Sequence, residues 1–169
     1  ATAESATVVV SADALWTDQA GLALAILTAD CVPILLWDAD GTVVAGVHAG
    51  WRGLHAGIIA QTVASLPVPS GSLQAWIGPC ISVGRYEVGE EVWSQFENWP
   101  QEMLMPHLNE PNKRQLDLCA GARWCLRQCG VDTVHSSNVC TYDDPRFYSY
   151  RGRAGAETGR FASVIMLAV

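Results

Sequence analysis

Residues 28–53 read TADCVPILLWDADGTVVAGVHAGWRG, and the reading of this stretch decides the fold. Ile34 to Trp37 is a short apolar run, and Thr42 to His48 is another, rich in valine. Between them lies Asp38-Ala39-Asp40-Gly41, whose residue types favour a turn. Two strands joined by so short a turn pair as an antiparallel hairpin. Their far ends then lie side by side, which brings Cys31 close to His48 across 17 positions of sequence. A thiol and an imidazole at neighbouring strand ends have two main chemical uses. They can share a zinc ion, or the imidazole can deprotonate the thiol to make a nucleophile. A buried core thiol beside a hydrogen-bonded core imidazole would give the same pattern.

Working outward, Leu22 to Ala29 is apolar almost throughout, as a strand buried on both faces would be. Thr7 to Val10 is a short β-branched run. After Gly53, the positions Leu54, Ile58, Ile59, Thr62, Val63 and Leu66 fit one helical face, which Pro67 and Pro69 end. Leu73 to Ile77 reads as strand, Glu90 to Trp99 as a short helix and Pro106 to Asn112 as a loop. Leu116 to Cys129 reads as a helix stopped by Gly130, Val131 to Val134 as a strand, and Phe161 to Leu167 as a final buried strand. Strands and helices do not alternate strictly. The expected fold is therefore α+β, with mixed β-sheets packed in a sandwich and covered by helices.

Half of the 169 residues are hydrophobic and 16% are charged, a globular composition large enough for one domain. The net charge of −7 disfavours nucleic acid and anionic membranes as partners. The longest apolar run, Gly21 to Leu27, is too short to span a bilayer. Six cysteines without a CxxC pair or a secretory signal fit a reducing cytoplasm. Cys125 and Cys129 read as small core residues. Nine of the ten basic residues are arginine. Arg146, Arg151, Arg153 and Arg160 crowd one stretch, either as surface ion pairs or as an anion pocket. Arg52 precedes a predicted helix and suits phosphate. Asp30, next to the thiol, is a candidate acid or base or the anchor of a turn. Tyr148 could stack on a purine.

TADCVPILL, VHAGWRGL, IGPCI, YEVG, CTY, FYSYR and TGR occur in this order along essentially the whole chain. In these motifs the sequence resembles the YfiH/YlmD family, also described as laccase-like polyphenol oxidase or peptidoglycan-editing factor. The resemblance implies a single domain over 1–169 lacking its N-terminal segment. It implies zinc, or copper, held by Cys31, by His48 and by a further histidine upstream of the given residues. His55, His107 and His135 have no match to that missing ligand. The implied activity is phosphorolysis of adenosine, inosine, guanosine and methylthioadenosine, with deamination of adenosine, on a nucleoside and phosphate as small-molecule partners. Arg52, Tyr148, Arg151 and Arg160 are the expected substrate contacts. Gly152 stands where relatives carry a second arginine, and Arg153 is the expected substitute. Four histidines cannot fill a multicopper centre, so oxidase chemistry is not expected as the main activity. Two other functions fit the same residues: a metal-free cysteine hydrolase using Cys31 and His48, for example on cell-wall precursors, and a non-catalytic binding protein.

Overall fold

The structure is a computed structural model that describes residues 12–152 and 158–169. The expected strand at Thr7 to Val10 and the expected anion contact Arg153 lie outside the described residues.

The hairpin forms as its residue types dictate. β3 (Val32–Asp38) and β4 (Val44–Ala49) pair antiparallel, with Val32 opposite Ala49 and Pro33 opposite His48. Asp38 closes the turn. It is only 2% exposed, and its carboxylate accepts the Thr42 and Val43 N–H groups at 2.7 and 2.8 Å and the Thr42 hydroxyl at 2.8 Å. Burial by itself raises the pKa of this carboxyl. The bonds from Val43 and Thr42 outweigh burial and leave it below the ordinary value.

The hairpin is the middle of a five-stranded sheet. β1 (Ala14–Thr17) flanks β4, and β5 (Leu73–Ile77) flanks β3, both antiparallel. β9 (Thr133–Ser136) adds to β5 in parallel, so the sheet is mixed. One face carries Val32, Ile34, Leu36, Ala45 and Val47, all fully buried. These pack in one core with Leu54, Ile59 and Leu126 from the helical layer. An isoleucine or leucine buried in this way contributes roughly 1.5–3 kcal/mol.

On the opposite face lies a two-stranded antiparallel sheet of β2 (Ala23–Thr28) and β10 (Phe161–Met166). Leu24, Val44 and Leu167 form its contact with the larger sheet. A Cβ on Gly46 would meet the Ile26 side chain at 2.7 Å, so the close approach of the two sheets needs glycine there. This corrects two expectations. β2 and β10 bury one face only, and Leu27 on the outer face is 60% exposed. The strands buried on both faces are β3 and β4, which lie inside the five-stranded sheet and are covered from both sides.

The helices are shorter than their apolar periodicity suggests. The stretch expected as one helix is α1 (Trp51–His55) and α2 (Ile58–Ser65), broken at Gly57, whose φ of 78° is left-handed. α3 covers only Glu90–Trp93, continued by a 3₁₀ turn over Ser94–Phe96. α4 (Leu118–Gln128) begins at Asp117, whose side chain accepts the Ala120 N–H at 2.8 Å, and ends before Gly130 with φ 83°. Leu116, expected at the start of that helix, belongs instead to β8 (Arg114–Leu116). With β6 (Glu87–Val88) and β7 (Leu104–Pro106), β8 makes a small third sheet of strands too short to show a period. The α+β class holds, with sheet against sheet on one side and helices on the other.

Candidate functional site

The ends of β3 and β4 build the site. The chain reaches β3 through Asp30, a non-glycine residue at φ 87°. This left-handed turn sets Cys31 immediately before Val32, and the antiparallel register puts Gly50 beside it. A Cβ on Gly50 would lie 3.0 Å from Cys31 Sγ. Any side chain there would occupy the space in front of the sulfur. His48 is held by β1: its Nδ1 lies 3.0 Å from the Asp13 carboxylate, and its backbone N–H donates to the Asp13 carbonyl at 2.7 Å. That contact takes one ring nitrogen and leaves Nε2 available.

Cys31 and His48 line one cavity of about 250 Å³, together with Asp13, Gly50, Trp51 and Arg52. The Arg52 guanidinium stacks over the Trp51 ring at 4.3 Å. Burial, and then the Asp30 charge, push the Cys31 thiol above its ordinary pKa, while Arg160 acts in the opposite direction. The net shift is upward, which favours the protonated thiol.

Asp30 is 7% exposed and both its oxygens are engaged. One accepts the Thr141 hydroxyl and the other the Arg151 N–H, each at 2.6 Å, while the Ile81 N–H donates to its carbonyl at 3.0 Å. It therefore ties the CTY and YSYR segments to the strand end that carries the thiol. Arg151 turns its guanidinium to the Glu87 carbonyl at 2.8 Å and over the Tyr86 ring at 5.0 Å. Tyr86 is half-buried, and burial, then the neighbouring Cys31, push its pKa up to about 12, so it stays a protonated donor. Arg160 bonds the carbonyls of Thr158 and Gly159. Tyr148 is exposed and packs near Gly159, where a Cβ would meet its ring at 2.8 Å. Of the residues singled out in the sequence, Cys31, His48 and Arg52 meet in the cavity, with Asp30 supporting them from behind. Tyr148, Arg151 and Arg160 are not among the cavity's lining residues. Arg146 makes an exposed ion pair with Asp144 at 2.6 Å, as the surface reading of the arginine cluster has it.

Two members of the arrangement escape sequence reading. Asp13 has no local signal, because only the β1–β4 pairing brings it to His48. Tyr86 stands in a legible motif, YEVG, whose role becomes visible only when β6 brings it near Cys31 and Arg151.

Among the described residues, Glu87, His107 and Glu110 also lie within 4.8 Å of one another. Each of these side chains already has a partner. His107 Nδ1 accepts the Asn109 and Glu110 N–H groups at 3.3 and 3.1 Å, so Nε2 carries the proton and donates to Glu87 at 2.8 Å. The Lys113 ammonium sits between the carboxylates, 2.7 Å from Glu87 and 2.8 Å from Glu110. The cation of this cluster is a lysine.

The chain is 45% identical to a Pseudomonas aeruginosa protein named purine nucleoside phosphorylase, over 94% of this chain and 66% of that protein. It is 38% identical to a Shigella flexneri protein named purine nucleoside phosphorylase YfiH, over 92% of this chain and 64% of the relative. The chain thus spans somewhat less than two thirds to about two thirds of these relatives' length. A crystal structure of a Neisseria meningitidis protein superposes with a TM-score of 0.86 at 38% identity, covering 94% of this chain and 65% of that one. YlmD from Geobacillus stearothermophilus superposes at 0.84 with 32% identity, over 93% and 61%. The family described as multi-copper polyphenol oxidoreductase laccase matches residues 1–168, and with these neighbours it shows that the chain belongs to the laccase-like YfiH/YlmD family.

Proposed function

We propose that this chain carries the catalytic strand ends of a metal-dependent purine nucleoside phosphorylase that also deaminates adenosine. The observation that carries the reading is the convergence of Cys31, His48 and Arg52 on one cavity. The names of the relatives supply the substrate class. The donor set fits a borderline-soft ion such as zinc, with copper as the alternative: a thiol, an imidazole with a free Nε2, and no side chain at Gly50 to fill the space before the sulfur. Cys31 and His48 would hold the ion. The Asp13 carboxylate behind His48 is the outer partner that fixes a ligating imidazole. When bound, such an ion supplies Lewis acidity. Two protein donors are fewer than the three of ordinary catalytic zinc sites, so the reading requires a third donor in the longer protein. The cavity of about 250 Å³ is also below the ~300 Å³ at which small-molecule sites begin. The remaining wall has the same source in this reading.

The chain's own residues have separable tasks. Arg52 offers a guanidinium for phosphate, pre-oriented by its stack on Trp51. Tyr86 keeps its proton and can donate a hydrogen bond to a purine or ribose oxygen. Asp30 acts as a positioning residue, since its carboxylate is given to Thr141 and Arg151.

The test is product analysis of adenosine with the full-length protein, with and without inorganic phosphate. Ribose-1-phosphate and adenine that require phosphate are expected, with inosine formed in either condition. Absence of phosphate-dependent adenine release from metal-loaded protein would overturn the phosphorylase reading.

A further inference from the structure

A second cavity, of about 270 Å³, opens between the loop after β5, the start of α4 and the end of β9. Three cysteines line it: Cys80, Cys119 and Cys140. None of them belongs to the cavity of Cys31 and His48. Cys80 and Cys140 are backbone neighbours in a parallel bridge. Cys140 Sγ accepts the Ser82 N–H at 3.4 Å. Cys80 is buried and lines this cavity together with Cys119, and each thiol shifts the titration of the other. Cys119 is the second residue of α4, where the backbone N–H groups and the helix dipole favour a negative sulfur. Ser136 Oγ lies 3.6 Å from the same sulfur.

We propose that Cys119 and Cys80 form a dithiol site that closes reversibly to a disulfide by exchange with a low-molecular-weight disulfide. The Cys119 thiolate attacks one sulfur of the incoming disulfide. A mixed disulfide forms and one small thiolate leaves. Cys80 then gives up its proton and attacks Cys119 Sγ. The second small thiolate leaves, and the Cys80–Cys119 bond is made. Two protein thiols are oxidised and one small disulfide is reduced to two thiols.

The electrostatics agree with these roles. Hydrogen bonds from Cys80, and then from Ser136, offset burial and hold the Cys119 thiol below its ordinary pKa, with Arg123 adding to the effect and Asp117 opposing it. Cys80, the donor of the pair and buried, is raised. Burial pushes Cys125 up to about 11 and raises Cys129. The attacking and resolving partners are thereby distinguished. Closure would also tether the loop whose next residue, Ile81, donates to the Asp30 carbonyl.

The experiment treats the reduced full-length protein with oxidised glutathione at neutral pH, blocks remaining thiols with iodoacetamide and maps the peptides by mass spectrometry. The expected result is a Cys80–Cys119 linked peptide, two thiols lost per chain, and full reversal by dithiothreitol. Cys119→Ser should remove the link and leave Cys80 alkylatable only after unfolding, whereas Cys140→Ser should retain the link. In the untreated protein, Cys119 should alkylate at least about tenfold faster than Cys125. A Cys125–Cys129 or Cys80–Cys140 link in its place, stable glutathione on Cys119 without resolution, or Cys80 and Cys119 both left as unreacted thiols would each overturn the proposal.

Discussion

At the ends of β3 and β4 a thiol and an imidazole face an open cavity, whereas beside β6 a histidine and two glutamates stand within 4.8 Å of one another. By proximity alone the second group is the better ligand set. By what its atoms already do, it is the poorer one. Both nitrogens of His107 are engaged, and the Lys113 ammonium bridges Glu87 and Glu110. At the strand ends, His48 Nε2 has no hydrogen-bond partner among the described residues and Gly50 leaves the sulfur uncovered. The contrast teaches that a ligand site is recognised by unspent lone pairs as much as by distance.

The sharpest way to break this comparison is Cys31→Ala. Phosphorolysis should fall more than about a hundredfold, because loss of even an outer partner of a metal ligand costs 10–100-fold. Metal content by atomic emission should fall with it, and unchanged activity would place the chemistry elsewhere. Asp13→Ala should lower metal affinity by about 10–100-fold through loss of the partner that orients His48, as measured by competition with a chelating dye.

Asp30→Asn separates positioning from acid–base chemistry. Asparagine tolerates the left-handed backbone but supplies only one acceptor oxygen. Urea unfolding should show a loss of about 1–3 kcal/mol, with activity falling only in step with stability. A collapse in kcat at unchanged stability would make Asp30 catalytic. At the other cluster, Lys113→Gln and His107→Gln should leave metal content and kcat/KM within about twofold, because neither residue lines the cavity of Cys31 and His48. Metal loss in either variant would reverse the comparison.

The smallest effect belongs to the hairpin turn, at the end of β3 and β4 away from Cys31 and His48. The carboxyl of Asp38 titrates below its unfolded value of ~3.9. The unfolded chain therefore binds the proton first, and the stability due to Asp38 is full above that value and is lost as the pH falls through the folded one. Chemical denaturation at falling pH should show this loss in the parent and less of it in Asp38→Asn.

Much of this architecture was legible in residues 28–53. The turn residues and the two apolar runs specify the hairpin, and an antiparallel hairpin with fixed register necessarily places Cys31 beside the strand that carries His48. Local chemistry also determined the stop of α4 at Gly130, because a left-handed C-terminal residue favours glycine. The apolar run of β2 suggests burial on both faces, which belongs instead to β3 and β4, since an apolar run does not say which strand will lie inside the larger sheet. The break at Gly57 was hidden because the apolar spacing continues across it. Asp13, the double engagement of Asp30, and the meeting of Cys80 with Cys119 are contacts between segments distant in sequence, and no local period encodes them. Only the packed sheets decide which polar atoms are satisfied and which remain free, because hydrogen-bond partners and burial are properties of the assembled chain.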